Sequence, residues 1–281
     1  MQAATDANLR RVLAAALGTE FYRPWLEAAA LDSPDKIALL RDPRQALRQL
    51  PPLPAAFYCG HREQFRNPAE RRFGLPDLDH PLPGKPRIAV VPGFHHARIR
   101  AFPDGLDGAL IRFGPQVLAG PLRRLEQLAR EFGPVPSGLL AAVHALIVLV
   151  RPHEPLLDET GRARLWELFQ APVYQQVVGF DGRLLAWECE AHEGLHLVAE
   201  HAIAESCGGA AGGPLLLTSL TDRNFPMLRL KTPWPAALIH SLCGCGQPGE
   251  RIFVRVERGD AKSEDAAGLV AAGAAARPVL F

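Results

Sequence analysis

The chain has 281 residues, of which 48% are hydrophobic and 22% are charged, with 31 lysines and arginines against 30 aspartates and glutamates. This balance is typical of a folded globular protein, and it excludes wholesale disorder, a collagen-like fibre and a coiled coil. The formal net charge of +1 gives no electrostatic reason to expect nucleic acid or an anionic membrane as a partner.

The sequence carries no recognisable targeting or membrane segment. Its first residues lack the basic start and the apolar stretch of a signal peptide. The most apolar run, at 139–150, is interrupted by His144 and is too short to span a bilayer. We therefore expect a soluble protein of the cytoplasm, in which the five cysteines do not form a disulfide framework.

The N-terminal part is predicted to be helical and then irregular. Apolar residues at helical spacing predict two short helices within 7–30. Asp32-Ser33-Pro34 is typical of a helix cap followed by proline in the first turn, so one further helix is expected from there to the proline-rich stretch 50–54. Prolines and charges without periodicity predict a loop or linker over 60–86.

From residue 87 onward, strands and helices alternate. Helical spacing predicts helices at 121–132 and 160–169, and a further helix that begins within 137–144. The predicted strands lie at 87–91, 108–113, 145–150, 173–178, 184–189, 195–198, 215–218, 227–230 and 252–256. Alternating elements followed by a strand-rich end predict an α/β or α+β domain.

Cys189, His196, Cys243 and Cys245 are the strongest candidates for a metal site. Zinc binds thiolate sulfur and imidazole nitrogen in a tetrahedron, and three cysteines with one histidine complete such a shell. The glycines of Cys243-Gly244-Cys245-Gly246 allow two thiolates to turn toward one point. Cys189 and His196 are expected on two adjacent strands joined by a turn at 190–193. The alternative is that these are ordinary buried thiols without a metal.

The same histidine also belongs to a second pattern. His192-Glu193-Gly194-Leu195-His196 matches H-E-x-x-H, in which two histidines on one helical face hold zinc and the glutamate activates water. Gly194 stands where a strong helix former is expected, and Ala199 and Ala202 stand where a third ligand would follow in one protease class. A zinc metallohydrolase is therefore the weaker alternative.

Other polar residues suggest a ligand site. His153-Glu154-Pro155-Leu156 follows a predicted strand, at the position where α/β proteins place ligand contacts, although a helix-entry turn explains the same residues. Asp181 and Glu188 are a candidate acid pair whose geometry the sequence does not fix. Asp181 and Glu154 are the candidates for a catalytic role.

Five short segments occur in a characteristic order at 150–156, 173–179, 188–197, 217–229 and 243–246. They are similar to the glutamate-leucine, Tyr-Gly-x-Thr-Glu, Glu-Cys with Gly-Leu-His, Thr-Ser-Leu with Pro-Leu-Ile-Arg-Tyr, and Cys-x-Cys-Gly segments of one family. The chain thus resembles the phenylacetate–CoA ligase family of adenylate-forming enzymes, especially its coenzyme-synthetase-like branch. The resemblance implies a structural zinc on the three cysteines and His196, and a strand rather than a helix at 195–198.

The departures from this family concern the nucleotide site. The Tyr-Gly-x-Thr-Glu motif reads Val178-Gly179-Phe180-Asp181-Gly182, so glycine stands at the magnesium-binding glutamate position. Trp234 stands at the position of the ribose-binding aspartate, and tryptophan cannot accept hydrogen bonds from a ribose. The phosphate-wrapping loop has no counterpart at 55–120, and only a short tail follows Arg258 where the family has a C-terminal lid with a catalytic lysine. These departures make ATP and magnesium binding unexpected.

The expected fold is α/β, a reduced adenylate-forming core with mixed sheets flanked by helices and a strand-rich C-terminal part that holds the zinc. The expected segments are an N-terminal helical segment, a shortened region without the phosphate loop, the core with its zinc knuckle, and a tail, at 1–54, 55–120, 121–258 and 259–281. The expected substrate-pocket residues are Val178, Gly179, Phe180, Gly182 and Trp234.

The expected function is that of a pseudoenzyme. The protein would bind a small acyl or aryl ligand, act as a partner subunit or homodimer, or perform repurposed ATP-independent chemistry in a biosynthetic pathway. The first alternative is an active acyl or aryl adenylating ligase in which Asp181 or Glu154 holds magnesium. The second is the zinc metallohydrolase built on His192, Glu193 and His196.

Overall fold

The computed structural model describes residues 2–70, 77–79, 81–91, 100–102, 108–132, 142–207 and 213–254. Its helices are α1 Gln2–Leu17, α2 Arg23–Ala28, α3 Pro34–Ala38, α4 Pro43–Gln49, α5 Ala55–Gly60, α6 Gly108–Phe113, α7 Leu122–Phe132 and α8 Glu159–Phe169, with a 3₁₀ turn at Arg62–Phe65. Within these ranges, no helix has both the length and the apolar character needed to cross a membrane.

The strands form one mixed sheet. They are β1 Leu53–Pro54, β2 Ile88–Val90, β3 Arg100–Ala101, β4 Val117–Gly120, β5 Ala145–Val150, β6 Val173–Val178, β7 Leu184–Glu188, β8 Leu195–Leu197, β9 Ala202–Ser206, β10 Gly213–Ser219, β11 Leu230–Ile239 and β12 Arg251–Val254. Their order is β3-β2-β4-β5-β6-β7-β8-β12-β11-β10-β9, with β1 paired to β11. Pairing is parallel from β3 to β6 and antiparallel from β6 to β9.

Strand β5 lies inside the parallel half, between β4 and β6, and is buried on both faces. Its alternate residues enter two separate cores: Leu146, Val148 and Val150 in the larger, and Ala145, Ile147 and Leu149 in the smaller. Helices α7 and α8 pack on the larger-core face, beside β4, β5 and β6. Double-sided burial explains why β5 is a continuous apolar run rather than an alternating one.

The antiparallel half curls until β8 also lies beside β9, toward a barrel. The N-terminal helices dock on this half. The Tyr22 hydroxyl accepts a hydrogen bond from the Leu228 backbone N–H at 3.0 Å and donates to the Leu228 carbonyl at 3.3 Å. Thr5 donates to the carbonyl of Ala199 at 2.9 Å, and Asn67 donates to the carbonyl of Ala15 at 3.0 Å. Polar anchors therefore fix α1 and α2 on the curled strands.

Helix boundaries follow side-chain caps. Ser33 accepts a hydrogen bond from the Lys36 backbone N–H, which confirms the predicted helix start. The sequence predicted one helix from Ser33 to the proline-rich stretch at residue 50, but the structure has two helices here, α3 and α4. Asp42 caps α4 by accepting from the N–H groups of Arg44 and Gln45, and Pro43 occupies its first turn. A second cap with proline therefore restarts the helix at this point.

Two predicted strands differ from the structure. Residues 108–113, Gly-Ala-Leu-Ile-Arg-Phe, form α6, because a short apolar run fits a helix as well as a strand. The strand predicted at 227–230 begins only at Leu230, and β11 continues to Ile239 through Pro233 and Pro235. Strand β12 pairs with β11 only from Ala236 onward, and the pairing with β10 shifts register here, so the prolines interrupt little of the ladder.

Other predictions of regular structure hold, but four of the described strands were missed. The strands at 145–150 and 173–178 and the helices at 121–132 and 160–169 are confirmed within one residue. Strands β1, β3, β4 and β9 had no sequence prediction. The loop residues 71–76, most of the helix expected at 137–144 and the predicted tail lie outside the described residues.

We expect Tyr22→Phe to lower the free energy of unfolding by about 1–3 kcal/mol, because both Leu228 backbone groups would lose a buried partner. Chemical denaturation monitored by circular dichroism measures this loss. Tyr174→Phe is the control, since the Tyr174 hydroxyl has no hydrogen bond to the described residues. An equal effect of the two substitutions would contradict the proposed docking role.

Candidate functional site

The four predicted metal ligands converge at the ends of paired strands. Cys189 directly follows β7, His196 lies on β8, and Cys243 and Cys245 lie in the loop between β11 and β12. Because β12 pairs with both β8 and β11, this loop reaches the turn between β7 and β8. The four donor atoms all lie within 4.8 Å of one another, as one group.

The donor spacing fits a tetrahedral metal ion. The Cys189 and Cys243 sulfurs are 3.6 Å apart, and the Cys245 sulfur is 3.5 Å from Nε2 of His196. A tetrahedral zinc with ordinary bond lengths separates two sulfurs by about 3.8 Å and a sulfur from a nitrogen by about 3.6 Å. The sulfur separation is also far above the roughly 2.05 Å of a disulfide. The group can therefore bind a metal ion.

Three of the four ligand side chains are buried, and Cys245 is partly exposed. Cys189, His196 and Cys243 are each about 95% buried, and the Trp187 indole stacks on the His196 ring with 4.8 Å between ring centroids. Burial raises the pKa of the Cys189 thiol to about 11 and lowers the pKa of His196. A cation at this point would favour the thiolates that burial alone disfavours.

The H-E-x-x-H pattern does not form a helix. His192 has a left-handed backbone with φ of 52°, stacks on Tyr174, and places Nδ1 at 3.0 Å from the Glu188 carboxylate. Gly194 has φ of 99°, and a Cβ there would lie 2.7 Å from the Ile252 carbonyl oxygen. Only His196 belongs to the metal-ligand group. The helical pair of zinc ligands expected for a metallohydrolase is therefore wrong.

A second cluster surrounds Phe180, which lies in the turn between β6 and β7. The His153 ring stacks on the Phe180 ring at 5.4 Å, and the Tyr58 ring lies 5.1 Å away. The Arg62 guanidinium lies 5.0 Å from the Phe180 ring centre, and that of Arg151 lies 5.8 Å away. Two segments distant in sequence, 58–62 and 151–153, thus meet at one phenyl ring of a third.

The two arginines of this cluster contact aromatic rings. Arg62 also lies 4.7 Å over the ring of Phe225. Neither Arg62 nor Arg151 forms an ion pair with a carboxylate in the described part of the chain. The nearby Glu154 accepts from the Arg151 backbone N–H at 2.8 Å, which leaves the guanidinium free of it. Sequence reasoning missed Arg62, which falls within the stretch predicted as loop.

The acid groups nearby have partners of their own. Asp181 accepts from the Thr221 hydroxyl at 2.7 Å and from the Arg183 N–H at 3.1 Å, and burial raises its pKa. Glu188, its predicted partner, instead pairs with Arg162 at 2.8 Å. Asp222, which sequence analysis did not select, is 6% exposed, and burial raises its pKa to about 7.

The predicted pocket residues fall on two sides of the 151–155 turn. Val178 is buried at the end of β6, and Gly179, Phe180 and Gly182 form the turn that follows. Trp234, on β11, is 2% exposed and donates from its indole nitrogen to the carbonyl of Glu154 at 2.7 Å.

An apolar cavity opens beside this turn, at the carboxyl ends of β4 and β5. Its volume is about 440 Å³. The lining includes Pro121, Leu122, Val148, Val150, Leu156 and Leu157, with Glu154 at its edge. The carboxyl ends of parallel strands are where α/β proteins place ligands.

No protein-family model and no curated protein matches the sequence. Among solved structures, the chain is similar to 2-hydroxyisobutyryl-CoA ligase in an open conformation with 2-HIB-AMP and CoA, with a TM-score of 0.61 and 15% identity over 89% of this chain and 67% of that chain. The comparison with the same ligase in its thioesterification state gives a TM-score of 0.61 and 15% identity over 91% of this chain and 68% of that chain. The chain has the acyl-CoA ligase fold.

The ligase fold confirms the predicted α/β core, with its large mixed sheet flanked by helices. At 15% identity the likeness concerns the fold. Within that fold, the three cysteines and His196 form the predicted metal group, and the Phe180 cluster and the apolar cavity lie at the strand ends.

We expect Asp222→Asn to flatten the pH dependence of stability. The folded-state pKa of Asp222, about 7, lies above its ordinary value of 3.8, so the folded protein holds this proton more tightly. The stability that this proton contributes is complete below about pH 4 and is lost as the pH rises to about 7, by at most about 1.4 kcal/mol per pH unit.

Denaturant unfolding between pH 4 and pH 8 measures the difference between wild type and variant. Asp32→Asn, at an exposed carboxylate paired with Lys36, is the control and should keep the wild-type slope. Parallel stability curves for Asp222→Asn and wild type would contradict the prediction.

Proposed function

We propose that the protein binds a small acyl or aryl carboxylic acid at the Phe180 cluster and does not activate it with ATP. The observation that carries this proposal is the pair of half-buried guanidinium groups, Arg62 and Arg151, that meet at one ring without a carboxylate partner in the described residues. Arginine forms paired, charge-assisted hydrogen bonds with carboxylates. The Phe180, Phe225 and His153 rings supply flat apolar walls for the rest of the ligand.

The residues at the nucleotide-site positions support the absence of adenylation. Gly182 stands where the resembled family has its magnesium-binding glutamate, and it offers no side-chain oxygen. Trp234 stands at the ribose-binding position, and its only polar atom already donates to the Glu154 carbonyl. Asp181, the remaining candidate for magnesium, is engaged by Thr221 and has a raised pKa, so its charged form is disfavoured.

The likeness to 2-hydroxyisobutyryl-CoA ligase favours a different candidate, an active acyl or aryl adenylating ligase. The solved structures of that ligase hold an acyl adenylate and CoA. The changed residues at the nucleotide-site positions argue against this candidate. We further propose, from the ordered motifs alone, that the chain belongs to the phenylacetate–CoA ligase branch. In our proposal it acts in the cytoplasm as a pseudoenzyme, partner subunit or repurposed enzyme of a biosynthetic pathway.

Isothermal titration with phenylacetate and benzoate, and separately with ATP and magnesium, tests the proposed function. We expect an aryl acid to bind, and Arg62→Ala or Arg151→Ala to weaken binding about tenfold or more, since each loses a charged hydrogen bond. Arg41→Ala, at an exposed arginine in the loop before α4, is the control and should bind as wild type does.

Two outcomes would count against this proposal. Micromolar binding of ATP with magnesium, accompanied by acid-dependent exchange of pyrophosphate into ATP, would establish the adenylating ligase instead. Binding of the aryl acids that is insensitive to both arginine substitutions would place the ligand elsewhere.

We also propose that the metal ion is zinc and that its role is structural. Three thiolates and one imidazole are the donor set that zinc prefers, and four protein ligands leave no open position for a substrate. The cysteines and His196 would hold the ion and connect β7, β8 and the loop before β12. Because such a site is not preformed in the unfolded chain, ion binding would contribute directly to folding free energy.

We expect Cys243→Ser to lose most of the bound zinc and to lower the melting temperature by about 2–4 °C for each kcal/mol of stability lost. Metal content by emission spectrometry and thermal unfolding give the two readouts. Cys207→Ser, at an exposed cysteine outside the group, is the matched control. Full zinc content and an unchanged melting curve in Cys243→Ser would contradict the structural role.

A further inference from the structure

Arg251, at the start of β12, places a guanidinium group beside the metal-ligand group. The residue is only 2% exposed, and in the ladder between β12 and β8 it lies opposite His196. A buried guanidinium is destabilising unless hydrogen bonds replace the water it loses. Its hydrogen-bond partners therefore indicate what keeps an arginine at this position.

These partners lie on the two loops that carry the ligands. Nη1 of Arg251 donates to the carbonyl of Glu193 at 2.8 Å and to its carboxylate at 3.2 Å. Nη2 donates to the carbonyl and the hydroxyl of Ser241 and to the carbonyl of Leu242, each at 3.2 Å. One side chain thus connects the turn between Cys189 and His196 with the loop that bears the other two cysteines.

Glu193 adds a second connection between the same loops. Its carboxylate accepts a hydrogen bond from the backbone N–H of Gly244, the residue between Cys243 and Cys245, at 3.0 Å. A Cβ at position 244 would lie 3.2 Å from the other carboxylate oxygen of Glu193, a tight contact that would displace the carboxylate by a few tenths of an ångström. The glutamate that the H-E-x-x-H pattern assigned to water activation is therefore engaged in holding the cysteine loop.

Packing alone does not explain this arrangement. Nε of Arg251 is buried and has no hydrogen-bond partner among the described residues, although all the other donors point at the two loops. A well-packed aliphatic residue would avoid this unsatisfied group. The guanidinium is thus oriented by the loops that it joins.

We propose that Arg251 and Glu193 are positioning residues of the metal centre, which we call the Arg251 latch. The latch holds the two ligand loops at coordination spacing before the ion binds, and it thereby sets the affinity and the release rate of the metal. Neither side chain is a ligand. This inference rests on the proposed zinc. It adds that two residues outside the ligand set control how fast the metal is exchanged. Mutation of residues that orient metal ligands commonly lowers the affinity for the metal by about 10–100-fold.

The test compares metal release from four variants of the full chain. Protein loaded with Zn²⁺ is mixed with a chromogenic chelator, and the rate of zinc transfer is recorded. The Co²⁺ forms supply the visible spectrum of the thiolate-bound ion as a second readout. The variants are Arg251→Met, Arg251→Lys, Glu193→Ala and Arg229→Met.

Arg251→Met should release zinc about 10–100-fold faster and shift the Co²⁺ spectrum. Arg251→Lys should fall between it and wild type, because one ammonium cannot reach both loops. Glu193→Ala, at a side chain that is 54% exposed, should fold and release zinc faster by a smaller factor. Arg229→Met is the control for general destabilisation, since Arg229 pairs with Glu205 and binds the carbonyl of Arg48 away from the metal group. It should release zinc within about twofold of wild type.

Several results would overturn the latch. Wild-type release rates in both Arg251→Met and Glu193→Ala would refute it while leaving the structural zinc intact. Equally fast release from Arg229→Met would assign the effect to lost global stability. A wild-type protein that binds neither Zn²⁺ nor Co²⁺ would remove the zinc proposal and the latch together. Should Arg251→Met fail to fold, Arg251→Lys and Glu193→Ala decide the question.

Discussion

The placement of β12 between β8 and β11 is the constraint on which the candidate metal centre and the continuity of the sheet depend. Through β8 this short strand joins the parallel half of the sheet, and through β11 it joins the curled half. The same pairing brings the loop with Cys243 and Cys245 against the turn that follows Cys189. A metal ion at this point would connect the end of β7, strand β8 and the loop before β12.

The sequence predicted the elements whose burial is simple. Strand β5 is apolar at every position because both of its faces are covered, and the β-branched residues near its end favour a strand. Helix α7 carries a clear apolar face. The run at 108–113 and the proline-bearing β11 were mispredicted, because the first has no decisive periodicity and the second depends on where its neighbours stop pairing.

The metal group was predictable for a chemical reason, and the Phe180 cluster only in part. Cysteine and histidine are few in the chain, so their convergence has few alternative explanations. Arginine is common, and nothing near Arg62 marks it as a neighbour of Phe180, more than a hundred positions later. The H-E-x-x-H pattern was misleading because a pattern of five residues occurs easily by chance. The positive φ values of His192 and Gly194 exclude the helix that the pattern requires.

The fold and the site chemistry therefore give different information. The fold is similar to that of an acyl-CoA ligase. At the strand ends, however, two guanidinium groups have no carboxylate partner among the described residues, and burial favours the neutral form of Asp181 and Asp222. Such a site is better matched to holding an anion than to gathering a magnesium ion around a triphosphate. A shared scaffold hosts different chemistry when the residues at its binding end change.

The stacking of Trp187 on His196 gives the chain an internal optical reporter. Of its four tryptophans, this indole alone lies face to face with a residue of the metal group. Trp25 and Trp166 are 40% and 49% exposed, and the Trp234 indole donates to the carbonyl of Glu154. Because the indole stacks directly on a metal-ligand candidate, we expect its emission to change when an ion occupies the centre. Fluorescence of the unlabelled protein would then follow occupancy without a dye or a chelator.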